Sequence, residues 1–427
     1  MTTAKETIKR TNGDGSVYFR KSDNRWCATL SLPSSTGKPR RVTRTAKTER
    51  AAKAKLTELK REFIANGDIQ TSALTVESWA RTWLNDIAAK EVRPKTAASY
   101  RTTVEQYIIP AIGRKQLKKL TPDHVREMVK SVTDKGLSTR SAALAYQVLS
   151  LALKTAHREG KVSRNVAELV NRPRTAKTTL AVLTAEDGMK VLQTVTGWPP
   201  PIAADRLASR WWAALFTGAR QGELLGLTWG RVDFTRNVID LSWQLQRLAW
   251  EHGCDPTCGR LRGNECPARL LTAPADWEHQ HLTGGLYLSR PKSNAGVRLV
   301  PIVPPLRAML LHRQMASVLE RNPHGLVWTT LSGAPIDPSK DSKAWHAVLK
   351  LAGVPDARLH DARHTAVDML YAADVPEADI QEIVGHSVVS VTRGYKSRGN
   401  SVRLLDGMTR AASLMLEPPV AHSTNPA

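Results

Sequence analysis

Three strings of this 427-residue chain carry side chains suited to work on a phosphate ester. In TGARQGELLGLTWGRVDF (217–234), Gly218 and Gly222 flank Arg220 at the mouth of an expected helix, with Glu223 placed to orient the loop. Free backbone N–H groups and a guanidinium there could face one phosphate together. In LHDARHTAVDML (359–370), His360 and Arg363 are three apart and share a face when that turn is helical. In VGHSVVSVTRGYKS (384–397), Gly385 closes the preceding helix ADIQEIV, His386 follows it, and Tyr395 comes nine residues later on a short helix of its own. A phenol with an ordinary pKa of about 10 attacks phosphorus only when a base or nearby cations assist its ionisation. Singly, each residue has a commoner use, the arginine on a surface and the tyrosine in a core. Together they supply cations, a nucleophile and proton carriers. The sequence has no Asp/Glu cluster with metal-nuclease spacing and no G-x-x-x-x-G-K-[ST] loop, which argues against a two-metal nuclease and a P-loop ATPase.

The charge agrees with a phosphate-rich partner. Lys and Arg number 62 against 39 Asp and Glu, a net +23. Such an excess gathers phosphate oxygens and releases counterions, and solubility alone asks for far less. No long basic amphipathic helix points to a membrane surface instead. With 41% hydrophobic and 24% charged residues the composition is ordinary for a globular chain of two or three domains. No apolar run is long enough to cross a bilayer, and MTTAKETIKRTNGDGS lacks the apolar stretch of a secretory signal. Four Cys exclude a disulfide framework, so a bacterial cytoplasm, with the nucleoid as the site of action, is the expected location.

The elements that must position these groups divide the chain into a multidomain α+β protein. Residues 1–70 hold 16 Lys and Arg against 7 Asp and Glu. There GSVYFRKSDNRWCATLSL and KPRRVTRTA alternate like a three-stranded antiparallel sheet, with Cys27 in its core. A helix over Thr48 to Phe63 follows, capped by Thr48, with Ala51, Leu56, Leu59 and Phe63 at apolar spacing. Residues 75–170 read as a helical domain. Val76, Trp79, Ala80, Trp83 and Ile87 share one face, Thr121 with Pro122 opens a helix, and STRSAALAYQVLSLALKTAHREG makes another. A basic linker, Asn171 to Lys177, leads to a mainly helical domain over 180–417 with a small antiparallel sheet, opened by the capping-like Leu183-Thr184-Ala185-Glu186-Asp187. The tail 418–427 looks unstructured.

The order R…H-x-x-R…(L/V)-G-H…Y within about 180 residues, after a helical domain, resembles the tyrosine recombinases, specifically the phage-type integrases. The matching strings are TGARQGELLGLTW, LHDARHT and VGHSVVSVTRGY. Departures are small: Ala362 and Val384 replace commoner leucines, and the third residue after Tyr395 differs. The resemblance implies a site-specific DNA recombinase that integrates or excises a mobile element. It implies that Tyr395 forms a 3′-phosphotyrosyl link, that Arg220 and Arg363 hold the non-bridging oxygens, and that His386 adds a hydrogen bond to them. His360 would help move the tyrosine proton. The family also places a lysine on a β-hairpin to protonate the leaving 5′ oxygen. In LSRPKSNAGVRLVPI the candidate is Lys292, between expected strands at 285–289 and 297–303; Lys340 and Lys343 sit beside an expected helix start and fit less well. The resemblance further implies that 1–70 binds arm-type DNA and 75–170 core DNA. It implies a homotetramer on double-stranded DNA, assisted by bending or excision factors, with no catalytic cofactor and no membrane. Two other functions fit the same scaffold: a non-catalytic DNA-binding regulator, for which six retained catalytic residues would have no use, and a type IB topoisomerase-like relaxing enzyme.

Two features stand apart. Between Arg220 and Lys292 lie 71 residues, more than the family pattern needs, with an inserted loop over about 245–285. It contains WEHGCDPTCGRLRGNECPARL, where His252, Cys254, Cys258 and Cys266 could complete a tetrahedral structural zinc site, with His279 or His281 as alternatives to His252. Near the C-terminus, Leu404, Leu405, Met408 and Leu414 to Leu416 form an apolar stripe, expected either to pack in cis or to dock on a neighbouring protomer, as is frequent in the family it resembles.

Overall fold

The computed structural model describes residues 15–32, 40–66, 74–176, 183–197, 204–254, 258–291, 296–385 and 401–416. They group into two compact units, one drawn from 1–88 and 99–176, the other from 89–98 and 177–427.

The first unit begins with strands β1 (Ser16–Arg20), β2 (Arg25–Leu32) and β3 (Arg40–Ala46), antiparallel in that order. Leu30, Leu32 and Val42 pack on Leu59 of the helix Glu49–Asn66, and Ala28 and Ala46 on its Ala52. The Ala51 N–H donates to the Thr48 hydroxyl at 3.3 Å, as the cap reading requires. Ala51 itself is exposed and Ala52 buried, so the stripe opens at Ala52 and not Ala51, while Leu56, Leu59 and Phe63 pack on the sheet as expected. Cys27 is fully buried in β2.

In the helical part, Val76–Thr82 buries Val76, Trp79 and Ala80, and the Trp79 indole donates to the Ala152 carbonyl at 2.9 Å. From Trp83 to Ala88 the winding loosens into π-helix. The extra residue per turn brings Leu84 and Ala88 into the core and leaves Ile87 half-buried. Thr121 caps Pro122–Asp134, with Pro122 at the first position, and Ser138 caps Thr139–Arg158. Val125, Met128, Val132, Val148 and Leu149 from these two helices fill the centre.

The second unit is built round Trp211, Trp328 and Trp345, all fully buried. Thr184 and Asp187 form the expected capping box of Ala185–Val195. Two small sheets flank the helices. One joins β4 (Val232–Asp233), β5 (Val238–Asp240) and β9 (Leu299–Pro301); the other orders β6 (Gln244–Arg247), β8 (Leu286–Ser289) and β7 (His279–Thr283) as β6-β8-β7. This corrects the hairpin expected around Lys292. β8 and β9 do not pair with each other; each belongs to a different sheet, and Lys292 falls outside the described residues. The inserted segment accounts for the change, because its strand β7 takes one edge of β8 while β6 takes the other. The proline at 291 also has no N–H with which to continue a ladder.

The last helix, Ser401–Leu416, takes the cis placement of the two expected for it. Leu404, Met408, Ala412 and Met415 are buried in the same chain's core, and Arg403 pairs with the buried Asp379. The apolar stripe is covered in cis.

Candidate active site

The helix Ser209–Thr217 ends at Gly218, whose φ of 57° turns the chain. A Cβ at that position would stand 3.1 Å from Val384 Cγ1 and 3.3 Å from Ala366 Cβ, so both the backbone angle and the tight packing call for glycine. Two residues later Arg220 caps the short helix Gln221–Leu225. Its own N–H donates to Glu223 Oε2 at 2.8 Å and its Nη1 to Glu223 Oε1 at 2.8 Å. The N–H of Arg220 itself is therefore taken up inside the loop. Gly222 serves packing, since a Cβ there would lie 2.7 Å from the Leu245 carbonyl of β6. Gln221 ties the loop to Pro338–Ala352 by donating to Asp341 Oδ2 at 2.8 Å.

Glu223 is almost fully buried and holds two guanidinium groups. Arg298, just before β9, donates Nη2 to Glu223 Oε2 at 2.9 Å and Nη1 to Oε1 at 3.2 Å, and its Nε reaches the Ile383 carbonyl at 2.8 Å. Burial works to raise the Glu223 pKa, but Arg298 and then Arg220 hold it below the ordinary value, so the carboxylate stays ionised. Arg298 was missed in the sequence. Its signal was parity: it shares a strand face with Val300 and Ile302, both buried, while Val297 and Leu299 on the other face are 49% and 46% exposed.

The second arginine arrives from far along the chain. His360 lies in the 3-10 turn Leu359–Asp361, which runs directly into the helix Ala362–Ala372 bearing Arg363. Arg358 and Asp361 close the turn through a two-pronged ion pair and the Arg358 N–H. Arg363 donates Nη1 to the Gly218 carbonyl at 2.8 Å, across 145 residues of sequence. Its Nη2 is buried without a hydrogen-bond partner among the described residues. Burial, then repulsion from Arg220 and Arg298, lowers its pKa to about 9, with Glu223 opposing. Burial first, then Arg363, also lowers the pKa of His360, so its imidazole is neutral at pH 7.

The third string joins at its first residues. Arg220 Nη2 donates to the Gly385 carbonyl at 3.3 Å, and Gly385, with φ of 70°, ends the helix Glu377–Val384. Arg220, His360 and Arg363 are thus brought to one place. His386, Tyr395 and Lys292 lie outside the described residues. The assembled groups can hold the two non-bridging oxygens of a singly charged phosphodiester and accept a proton beside them.

In the insertion, one ligand atom from each of His252, Cys254, Cys258 and Cys266 lies within 4.8 Å of the others. His279 and His281 are engaged elsewhere: His279 Nδ1 meets the Trp277 carbonyl at 2.9 Å and His281 Nε2 the Gly284 carbonyl at 2.8 Å. His252 is therefore the histidine that joins the cysteines. Burial pushes the Cys266 thiol up, but the N–H of Gly253, the other two thiols and the N–H of Ala268 bring it down to about 6.

Comparison with known proteins agrees with this geometry. The profile described as "Phage integrase, N-terminal SAM-like domain" matches residues 75–132, and "Phage integrase family" matches 271–400. An integrase of Saccharopolyspora erythraea is 30% identical over 424 residues, covering 92% of this chain and 94% of its own. An integrase of Streptomyces ambofaciens is 27% identical over 408 residues, covering 90% and 92%. Among solved structures, a lambda integrase dimer bound to a COC′ core site has a TM-score of 0.50 at 16% identity, covering 94% of this chain and 97% of that one. The Tn1549 transposon integrase in complex with transposon right end DNA has a TM-score of 0.58 at 19% identity, covering 77% and 98%; at these identities the likeness is one of fold. The chain belongs to the phage integrase family of tyrosine recombinases. It is a DNA strand-exchange enzyme of the site-specific recombinase class, which sets aside the non-catalytic regulator, and that chemistry needs no cofactor. Among the described residues no helix is long and apolar enough to cross a membrane.

Proposed function

We propose that this recombinase cuts and rejoins DNA through a 3′-phosphotyrosyl intermediate on Tyr395, and that it integrates or excises a mobile element in the bacterial nucleoid. The Tyr395 oxygen attacks phosphorus, the P–O5′ bond breaks, and the leaving oxygen takes a proton from Lys292. His360, neutral at pH 7, receives the phenolic proton. Arg220, Arg363 and His386 bind the non-bridging oxygens, where negative charge grows in the transition state. A second strand's 5′-hydroxyl then reverses the attack, so the ester energy is conserved and no ATP is consumed. A metal ion on the Cys/His insertion would serve structure, not this chemistry.

One observation carries the reading: Arg363 reaches back to the loop of Arg220 yet its buried Nη2 has no partner among the described residues, a donor free for an anion. Residues 1–70 serve as the arm-DNA module, 75–170 as the core-DNA module and 180–417 as the catalytic domain. The exposed Tyr18, Phe19, Arg25 and Arg41 on the small sheet support the first assignment. The working assembly is a homotetramer on two double-stranded DNA sites, with bending or excision factors setting direction; a lambda integrase tetramer bound to a Holliday junction has the same fold.

The test is a trapping assay with nicked suicide substrates cut from the element's flanking DNA. The wild-type chain should give a covalent protein–DNA adduct and Tyr395→Phe none. An adduct that survives this substitution rejects Tyr395 as the nucleophile.

A further inference from the structure

We infer that His252, Cys254, Cys258 and Cys266 bind one structural Zn²⁺ ion that fastens the inserted segment to the β6-β8-β7 sheet. The four ligand atoms lie within 4.8 Å of one another, and the two distances from His252 match tetrahedral edges. With Zn–S of about 2.3 Å and Zn–N of about 2.0 Å, tetrahedral edges are about 3.8 Å between sulfurs and about 3.5 Å from nitrogen to sulfur. His252 Nδ1 lies 3.5 Å from Cys258 Sγ and 3.8 Å from Cys254 Sγ. All three cysteines are free thiols, and three sulfurs with one imidazole favour zinc over the hard cations that prefer oxygen.

The surroundings show why an ion is needed. Glu251 and Leu270 exchange backbone hydrogen bonds of 2.8 and 3.0 Å, closing the neck of the insertion. On the sheet side of this neck lies a small apolar cluster of Leu248, Trp277 and Tyr287, with Trp250, Leu271 and Ala273 against it. Beyond the neck, residues 259–262 are exposed, Leu261 at 97%, and Cys266 is the one buried hydrophobic residue among those described between 252 and 270. So little apolar surface cannot order that stretch, and a metal–ligand set can. The site is separate from the arginine cluster and does not depend on the reaction proposed above.

The experiment uses the full chain, purified under reducing conditions, stripped by chelation and titrated with Zn²⁺. One ion per chain should bind, and Co²⁺ in its place should give thiolate charge-transfer and tetrahedral d–d bands. Cys258→Ser and His252→Ala should each weaken Zn²⁺ binding by at least about tenfold, the loss that even an outer-shell partner costs. His279→Ala and His281→Ala should keep full stoichiometry. Limited proteolysis guards against variants that merely misfold: the metal-free wild type should be cut between 248 and 277, and added Zn²⁺ should protect it. No uptake by the wild type, an octahedral Co²⁺ spectrum, or a disulfide among the three cysteines in the reduced protein overturns the site. Suicide-substrate trapping, run alongside, reports on Tyr395 independently.

Discussion

The arginine cluster and the Cys/His insertion both lie in the second unit, but they are held by opposite means. Arg220 with Glu223, Arg298 and Arg363 come from three distant stretches and are fixed by hydrogen bonds and charge. Their anchor is one buried carboxylate, without which three guanidinium groups would repel one another. The four residues of the insertion fall within fifteen positions of sequence and share no apolar core of their own. Where a fold gathers like charges, a buried counter-charge sets the geometry. Where it extends a polar loop, local ligands must do so.

Several measurements would sharpen or break this contrast. The largest effect belongs to Arg363. Arg363→Lys keeps the charge but loses the fork, and should slow single-turnover cleavage by roughly 10²–10³-fold, the cost of one preorganised donor. Binding to a single DNA site should change far less; equal losses in both would mean the residue serves folding alone. Next comes the carboxylate. Glu223→Ala leaves Arg298 buried and unpaired and should destabilise the chain by about 3–5 kcal/mol in denaturant titration. A loss below about 1 kcal/mol would show that the arginines find other partners.

The smaller effects are in pH. Because Glu223 is lowered in the folded chain, its contribution to stability is complete above the ordinary value of 4.5 and is lost as pH falls through the lowered one. Acid unfolding of the Glu223→Gln variant should lack that component. His360 is also lowered, so the unfolded chain takes up its proton first as pH falls below 6.5, and the neutral form persists in the fold to lower pH. The acid limb of the cleavage rate should accordingly lie below pH 6.5. A limb above that value would assign it to another group.

Much of this was legible in the chain. Thr121-Pro122 and Thr184 with Asp187 mark helix starts because capping is local, satisfied within one turn. Strands β1 to β3 follow from alternation and turn residues. Arg220, His360 and Arg363 were found by type and spacing. The Lys292 hairpin was misread because pairing is not local: an edge of β8 goes to whichever strand reaches it, and here the insertion did. The placement of the last helix was left between two surfaces for a similar reason. An apolar stripe records that it will be buried, not by which surface, and Ala185–Val195 with Ala362–Ala372 supplied it in cis.

By itself, then, the sequence determined the local elements, the net positive charge and the reactive side chains, since these depend on residue type and near-neighbour spacing. Only the tertiary structure decided that Arg298 enters the site, that Glu223 binds two arginines at once, and that His252 rather than His279 faces the cysteines. Those are outcomes of contact between segments far apart in the chain, where steric fit and buried charge choose among partners that spacing leaves equal.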